Sequence, residues 1–124
     1  MIAFQIDNIS HAKAAAILGF EGGIGVRNGC FCAHPYILRL LDVQDDVYQT
    51  FKQRVLNHDR SDMPGLIRIS FGCYNTEADV DALVAMVERI IAGDYIGDYT
   101  VVKSNGFFWP RGFDQALLED SFKL

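Results

Sequence analysis

Gly23-Ile24-Gly25-Val26-Arg27-Asn28-Gly29-Cys30-Phe31-Cys32-Ala33-His34-Pro35 reads as a short buried strand at Ile24-Gly25-Val26 that breaks at glycine. It then presents two thiols on a loop and enters a helix with a proline in its first turn. Arg27 precedes the thiols, His34 follows Cys32 by two residues, and the helix begins directly after the loop. A helix N-terminus and nearby cations both favour a thiolate, the nucleophilic form of cysteine. Cys32 is therefore the candidate nucleophile, against the ordinary fate of a free cysteine as a small buried hydrophobe. The same residues include metal-ligand types, but a closed structural zinc site uses four ligands in separated pairs, and these spacings do not fit.

Before this stretch, Ile2, Phe4 and Ile6 alternate with Ala3 and Gln5 at the period of a strand. A strand at the first residue is what a domain cut from a longer chain would show. Ser10 is an N-cap candidate for a helix with Ala14, Ile17 and Leu18 inward, ended by Gly19 to Gly23. His11 and Lys13 fall on its solvated face.

After the loop, Tyr36, Ile37, Leu40 and Leu41 give a helix running through Asp42, and a second amphipathic helix spans Asp45 to about His58, capped by Asp45 or Asp46. Asn57 to Gly65 is the most loop-like stretch. Leu66-Ile67-Arg68-Ile69-Ser70-Phe71 resumes strand alternation, with Ile67, Ile69 and Phe71 toward the core and Arg68 on the opposite face. Thr76 and Asp79 approximate a capping box. Val80, Leu83, Val84, Val87, Ile90 and Ile91 then form an amphipathic stripe that stops at Gly93. Tyr99 to Val102 suits an edge strand, Phe107-Phe108-Trp109-Pro110 must dock on something, and Gln115 to Leu124 reads as a short helix with Leu117, Leu118 and Phe122 inward. Cys73, in a turn, is expected to pack in the core. The fold class is α+β: a small three- to four-stranded, mainly antiparallel sheet covered on one side by helices.

The 124 residues suit one domain, half hydrophobic and 22% charged. A net charge of −5 without any basic run argues against nucleic acid and anionic membrane as partners. Three cysteines do not make a disulfide scaffold, and there is neither a signal peptide nor an apolar run near the roughly 18 residues of a span. A cytoplasmic location is the simplest. The glycines lack the ordered spacing of a phosphate loop.

Arg68 is a charge inside an apolar strand, so it must find a partner or reach solvent at a cleft. It reads either as a surface arginine on a half-exposed sheet or as a bidentate clamp for a carboxylate. Arg27 admits the same two readings.

The cysteine loop together with Ile67-Arg68-Ile69-Ser70-Phe71-Gly72-Cys73-Tyr74-Asn75-Thr76 resembles the C-terminal small domain of class V aminotransferase-fold (fold-type I) pyridoxal-phosphate enzymes: cysteine desulfurases, selenocysteine lyases and molybdenum-cofactor sulfurases. The likeness runs from about Ile2 to Ile91. It implies that Cys32 takes sulfur from an amino-acid substrate as a persulfide and that Arg68 binds the substrate α-carboxylate, with Arg27 nearby. Many desulfurases have His-His before the cysteine; here Cys30-Phe31 stands there, so that Gly-Cys-Phe-Cys is closer to the molybdenum-cofactor sulfurases. The segment from Leu41 to Pro64 is longer than in compact desulfurases.

The resemblance also implies pyridoxal phosphate in the complete enzyme, held by a large domain that this sequence lacks. Lys13, Lys52, Lys103 and Lys123 match no Schiff-base lysine motif, so the chain alone is expected to hold no cofactor and to be inactive. The missing large domain is the expected partner, and the aromatic run Phe107 to Trp109 points to a possible homo-oligomer. The rival class is a free-standing interaction or sulfur-carrier module.

Overall fold

A computed structural model describes residues 1–114 and Ala116. The helix expected from Gln115 onward lies outside the described residues. Two antiparallel sheets form. The larger places strand β1 (Ile2–Phe4) and strand β2 (Arg27–Gly29) on either side of β3 (Leu66–Ile69), and the smaller is the hairpin β4 (Tyr99–Val102) with β5 (Phe107–Pro110). The α+β expectation holds. Tyr99 to Val102 does not edge the main sheet, however, because it pairs with the aromatic run instead.

Helices α1 (His11–Gly22) and α4 (Glu77–Ala92) cover one face of the main sheet. Ser10 caps α1, its hydroxyl accepting from the Lys13 N–H at 3.2 Å. Gly23 closes the helix at φ 63°, a left-handed conformation that glycine adopts without penalty. The next N–H, that of Ile24, returns to the Leu18 carbonyl at 2.9 Å. That closure explains why the strand expected at Ile24-Gly25-Val26 starts only at Arg27: Ile24 and Val26 pack partly buried against the core while the Ile24 N–H is committed to the helix end. Asp79 opens α4 by accepting the Thr76 N–H at 2.7 Å, a bond that holds its carboxyl below the usual range.

Ile17, Leu18 and Ile67 are fully buried at the centre of a core completed by Ile6, Ala14, Leu83, Met86, Ile90 and Tyr99. The stripe on α4 is narrower than its sequence suggests. Leu83, Met86 and Ile90 are buried and Val87 partly so, whereas Val80, Val84 and Ile91 remain 39%, 50% and 66% exposed. One helix face three residues wide is all that α1 and the sheet can cover. β3 likewise stops at Ile69, and Phe71 is exposed rather than inward. Cys73, expected in the core, is exposed as well.

On the other face, helix α2 (His34–Leu40) and the cysteine loop pack over the Leu66 end of β3, forming a satellite cluster of Cys30, Ile37 and Leu66. α2 ends at Leu40, short of Asp42. Helix α3 (Asp45–Leu56) is capped by Gln44, and Asp45 and Asp46 occupy the first turn, where negative charge suits the helix dipole. No residue of α3 is buried. Among the described residues no helix is long and apolar enough to cross a membrane.

Candidate functional site

β3 places Arg68 on the face turned away from α1 and α4, because Ile67 before it and Ile69 after it point into the core. The antiparallel register sets Ala3 opposite Arg68 on one side and Arg27 opposite it on the other. Directly opposed residues project on the same face, so the two guanidinium-bearing side chains stand side by side. The sequence placed them on neighbouring strands; the structure makes them direct cross-strand partners.

Like charges so placed destabilise a sheet unless an anion lies between them. Among the described residues the ion pairs belong to Arg54, Arg89 and Arg111, and none reaches Arg27 or Arg68. Arg27 is exposed and Arg68 half-buried, with the Arg68 Nε sequestered and lacking any partner among the described residues. A buried donor left unsatisfied is costly, and Trp109 Nε1 is the other such donor among the described residues.

The cysteine loop reaches this row through Phe31, whose ring centroid lies 4.9 Å from the Arg68 Cζ. Ala33 N–H donates to the Cys30 carbonyl at 2.7 Å, closing a tight turn in which both central residues, Phe31 (φ 52°) and Cys32 (φ 62°), are left-handed. Such a turn normally recruits glycine or asparagine. Its two thiols are not equivalent. Cys30 is buried, donates its S–H to the Pro64 carbonyl at 3.2 Å, and is pushed up in pKa by burial, whereas Cys32 is exposed. Cys30 is thus the buried thiol and Cys32 the one presented to solvent, one residue after the Phe31 that touches Arg68.

His11, expected on a solvated face, is half-buried and ties this site together from behind. Its Nε2 lies 2.8 Å from the Met63 carbonyl, which can only accept, so Nε2 carries the proton. Nδ1 is then the acceptor for the Asn28 amide at 3.2 Å. One imidazole therefore joins α1, β2 and the segment entering β3. Burial lowers its pKa, only partly offset by the Met63 hydrogen bond and by Asp62. Gly65 lies in the same junction: a Cβ there would stand 2.6 Å from the Gly29 Cα and 2.7 Å from His11 Nε2. A lone histidine followed by no recognisable motif gave no sequence signal for this role; Phe31 was signalled only by its place between two cysteines.

A cleft of about 760 Å³ runs along α2 and α3 past His34, Arg39, Asp42 and Tyr48 and is lined by neither Arg68 nor Cys32. In the arginine row Arg27 is exposed, whereas Arg68 is half-buried and bordered by the Phe31 ring. The described lysines do not complete it as a pyridoxal-phosphate site: Lys13 lies on α1 against Tyr95, Lys52 on α3, and Lys103 beside Arg60. The described residues by themselves do not fit that cofactor.

The Aminotransferase class-V family profile matches residues 1–83. The cysteine desulfurase CsdA of Escherichia coli is 31% identical over 91 residues, covering 73% of this chain and 17% of that protein. A molybdenum cofactor sulfurase of Anopheles gambiae is 38% identical over 82 residues, 60% of this chain and 10% of that protein. A probable cysteine desulfurase of Vibrio cholerae is 28% identical over 91 residues, again 73% and 17%. The chain thus spans under a fifth of the length of these relatives. No solved structure matches it significantly.

Proposed function

The chain belongs to the class-V aminotransferase family, and on that premise we propose that it is the small-domain half of a cysteine desulfurase-like active site. Arg68, assisted by Arg27, holds the α-carboxylate of an amino-acid substrate. The Cys32 thiolate attacks the substrate's sulfur, so that the S–S bond of a persulfide forms as the carbon–sulfur bond breaks and its electron pair leaves with the substrate carbon, an instance of covalent catalysis by an accessible thiol. Pyridoxal phosphate, which the described residues do not hold, would be bound by the large domain of the complete enzyme and would supply an electron sink there. The arginine face is where that domain closes the site.

The observation that carries this reading is the register of Arg27 against Arg68, on the face turned away from α1 and α4, without a carboxylate partner among the described residues. A planar guanidinium presents paired N–H donors that match a carboxylate, and a second cation across the strand strengthens the attraction.

Titration of the ¹⁵N-labelled chain with L-alanine, an amino acid without a sulfur to transfer, tests it. A saturable shift of the Arg68 Nε–H resonance is expected, abolished in Arg68→Gln and weakened in Arg27→Gln. The absence of a saturable shift in the wild type overturns the carboxylate role.

A further inference from the structure

We infer that Phe31 is a positioning residue that couples carboxylate binding at Arg68 to the placement of the Cys32 thiol. The inference rests on the reading of Arg68 as the carboxylate clamp.

Three observations meet at this residue. The Phe31 ring sits over the Arg68 Cζ at 4.9 Å, the Arg68 Nε is buried without a partner among the described residues, and Phe31 and Cys32 are successive left-handed residues. A guanidinium offers its faces to aromatic rings and its edges to carboxylates. The Phe31 ring holds the guanidinium through this contact at its Cζ. A guanidinium so held has lost some of its rotational freedom before any ligand arrives, and this preorganisation strengthens binding.

The connection to sulfur is covalent. Phe31 and Cys32 share a peptide bond in a turn closed by the 2.7 Å Ala33-to-Cys30 hydrogen bond and anchored by the Cys30 thiol on Pro64. Left-handed conformations at two consecutive residues bearing side chains are strained, and they persist where surrounding contacts over-determine them. The Phe31–Arg68 contact is one such determinant. Whatever re-aims the guanidinium re-aims the ring, and with it the turn that carries Cys32. By reciprocity, the placement of Cys32 feeds back on carboxylate affinity.

The test follows the Arg68 Nε–H and the Cys32 backbone amide together during an L-alanine titration of the wild type, Phe31→Tyr and Phe31→Leu chains. A dispersed amide spectrum reports folding in each. In the wild type and Phe31→Tyr the Cys32 amide is expected to shift along the same isotherm as Arg68. In Phe31→Leu, which keeps an apolar side chain but has no ring, the Arg68 resonance should lose its ring-current displacement and bind L-alanine about threefold more weakly, and the Cys32 response should vanish. A Cys32 amide that ignores a saturating Arg68 in the wild type overturns the inference, as does a Phe31→Leu chain that keeps both affinity and response. An Arg68 resonance that never titrates overturns the clamp itself, a distinguishable failure.

Discussion

At Arg27 the cost and the use of a charge separate cleanly. Its position opposite Arg68 sets two cations together on one sheet face, a pairing that costs of the order of 0.2–1 kcal/mol. Arg27→Gln should therefore raise the urea midpoint slightly while weakening L-alanine binding. A variant that is both less stable and unaffected in binding would mean that Arg27 serves the fold alone. His11 carries the opposite sign. Burial holds its pKa below 6.5, so the folded chain binds fewer protons than the unfolded one as pH falls below that value. Stability should be full above pH 6.5 and decline through the window between the unfolded and folded values. His11→Ala should lower stability by about 1–3 kcal/mol at neutral pH, the penalty for orphaning the Asn28 amide and the Met63 carbonyl, and should flatten the pH dependence in that window. Urea unfolding at pH 7.5 and 5.5 checks both. Neither residue's environment was legible in the sequence. Alternation placed Arg68 away from the core, but its cross-strand partner depends on where β2 begins, and that was set by the Ile24 N–H returning to Leu18. Likewise, two cysteines two residues apart are alike on paper, and only the turn separates a buried Cys30 from an exposed Cys32.

Among the elements, the ones with strong local signals formed where periodicity and caps placed them. Ser10 and Gly23 bound α1, and Thr76 with Asp79 opens α4. What local signals could not give is how much of an apolar stripe finds a partner, hence the exposed Val80, Val84 and Ile91 on α4 and an α3 with no buried residue. The segment leading into the hairpin β4–β5 is tied to α1 by a carboxylate that no motif announced. Glu21, at the end of α1, accepts the N–H groups of Ile96 and Gly97 and the Tyr99 hydroxyl, at 3.0, 2.9 and 3.0 Å. Burial alone would raise its pKa, but these hydrogen bonds and Arg89 lower it on balance, and Tyr99 is pushed up by burial and by Glu21. The stabilisation is present above the unfolded carboxyl value of 4.5 and is lost as pH falls through the lower folded one. Glu21→Ala should loosen the hairpin from α1, seen as faster amide exchange at Ile96 and Gly97, and cost about 1–3 kcal/mol. Unchanged exchange there would show that the aromatic packing of Phe20 against Trp109 and Phe113 holds the hairpin without it. At the β2–β3 junction, Gly65→Ala should be the most damaging small substitution, since its Cβ meets the Gly29 backbone at 2.6 Å.

For the molecule as a whole, one sheet face is covered by α1 and α4, while the other is covered at its Leu66 end and carries the Arg27–Arg68 pair, and the Cys32 thiol is exposed. Arg68 and Cys32, 36 positions apart in sequence by the difference of their numbers, are linked through Phe31, which precedes Cys32 and lies against Arg68. The proposed sharing of a carboxylate between the arginine pair and Cys32 can be read with alkylating reagents. Iodoacetate and iodoacetamide deliver the same carbon to a thiol and differ in one negative charge, and exposed Cys73 serves as an internal reference in the same chain. The iodoacetate-to-iodoacetamide rate ratio at Cys32, normalised to that at Cys73, should exceed one in the wild type. In Arg68→Gln it should fall about fivefold, the effect of roughly 1 kcal/mol of charge attraction screened as in water. A normalised ratio that is the same in both chains would contradict a carboxylate site shared by Arg68 and Cys32.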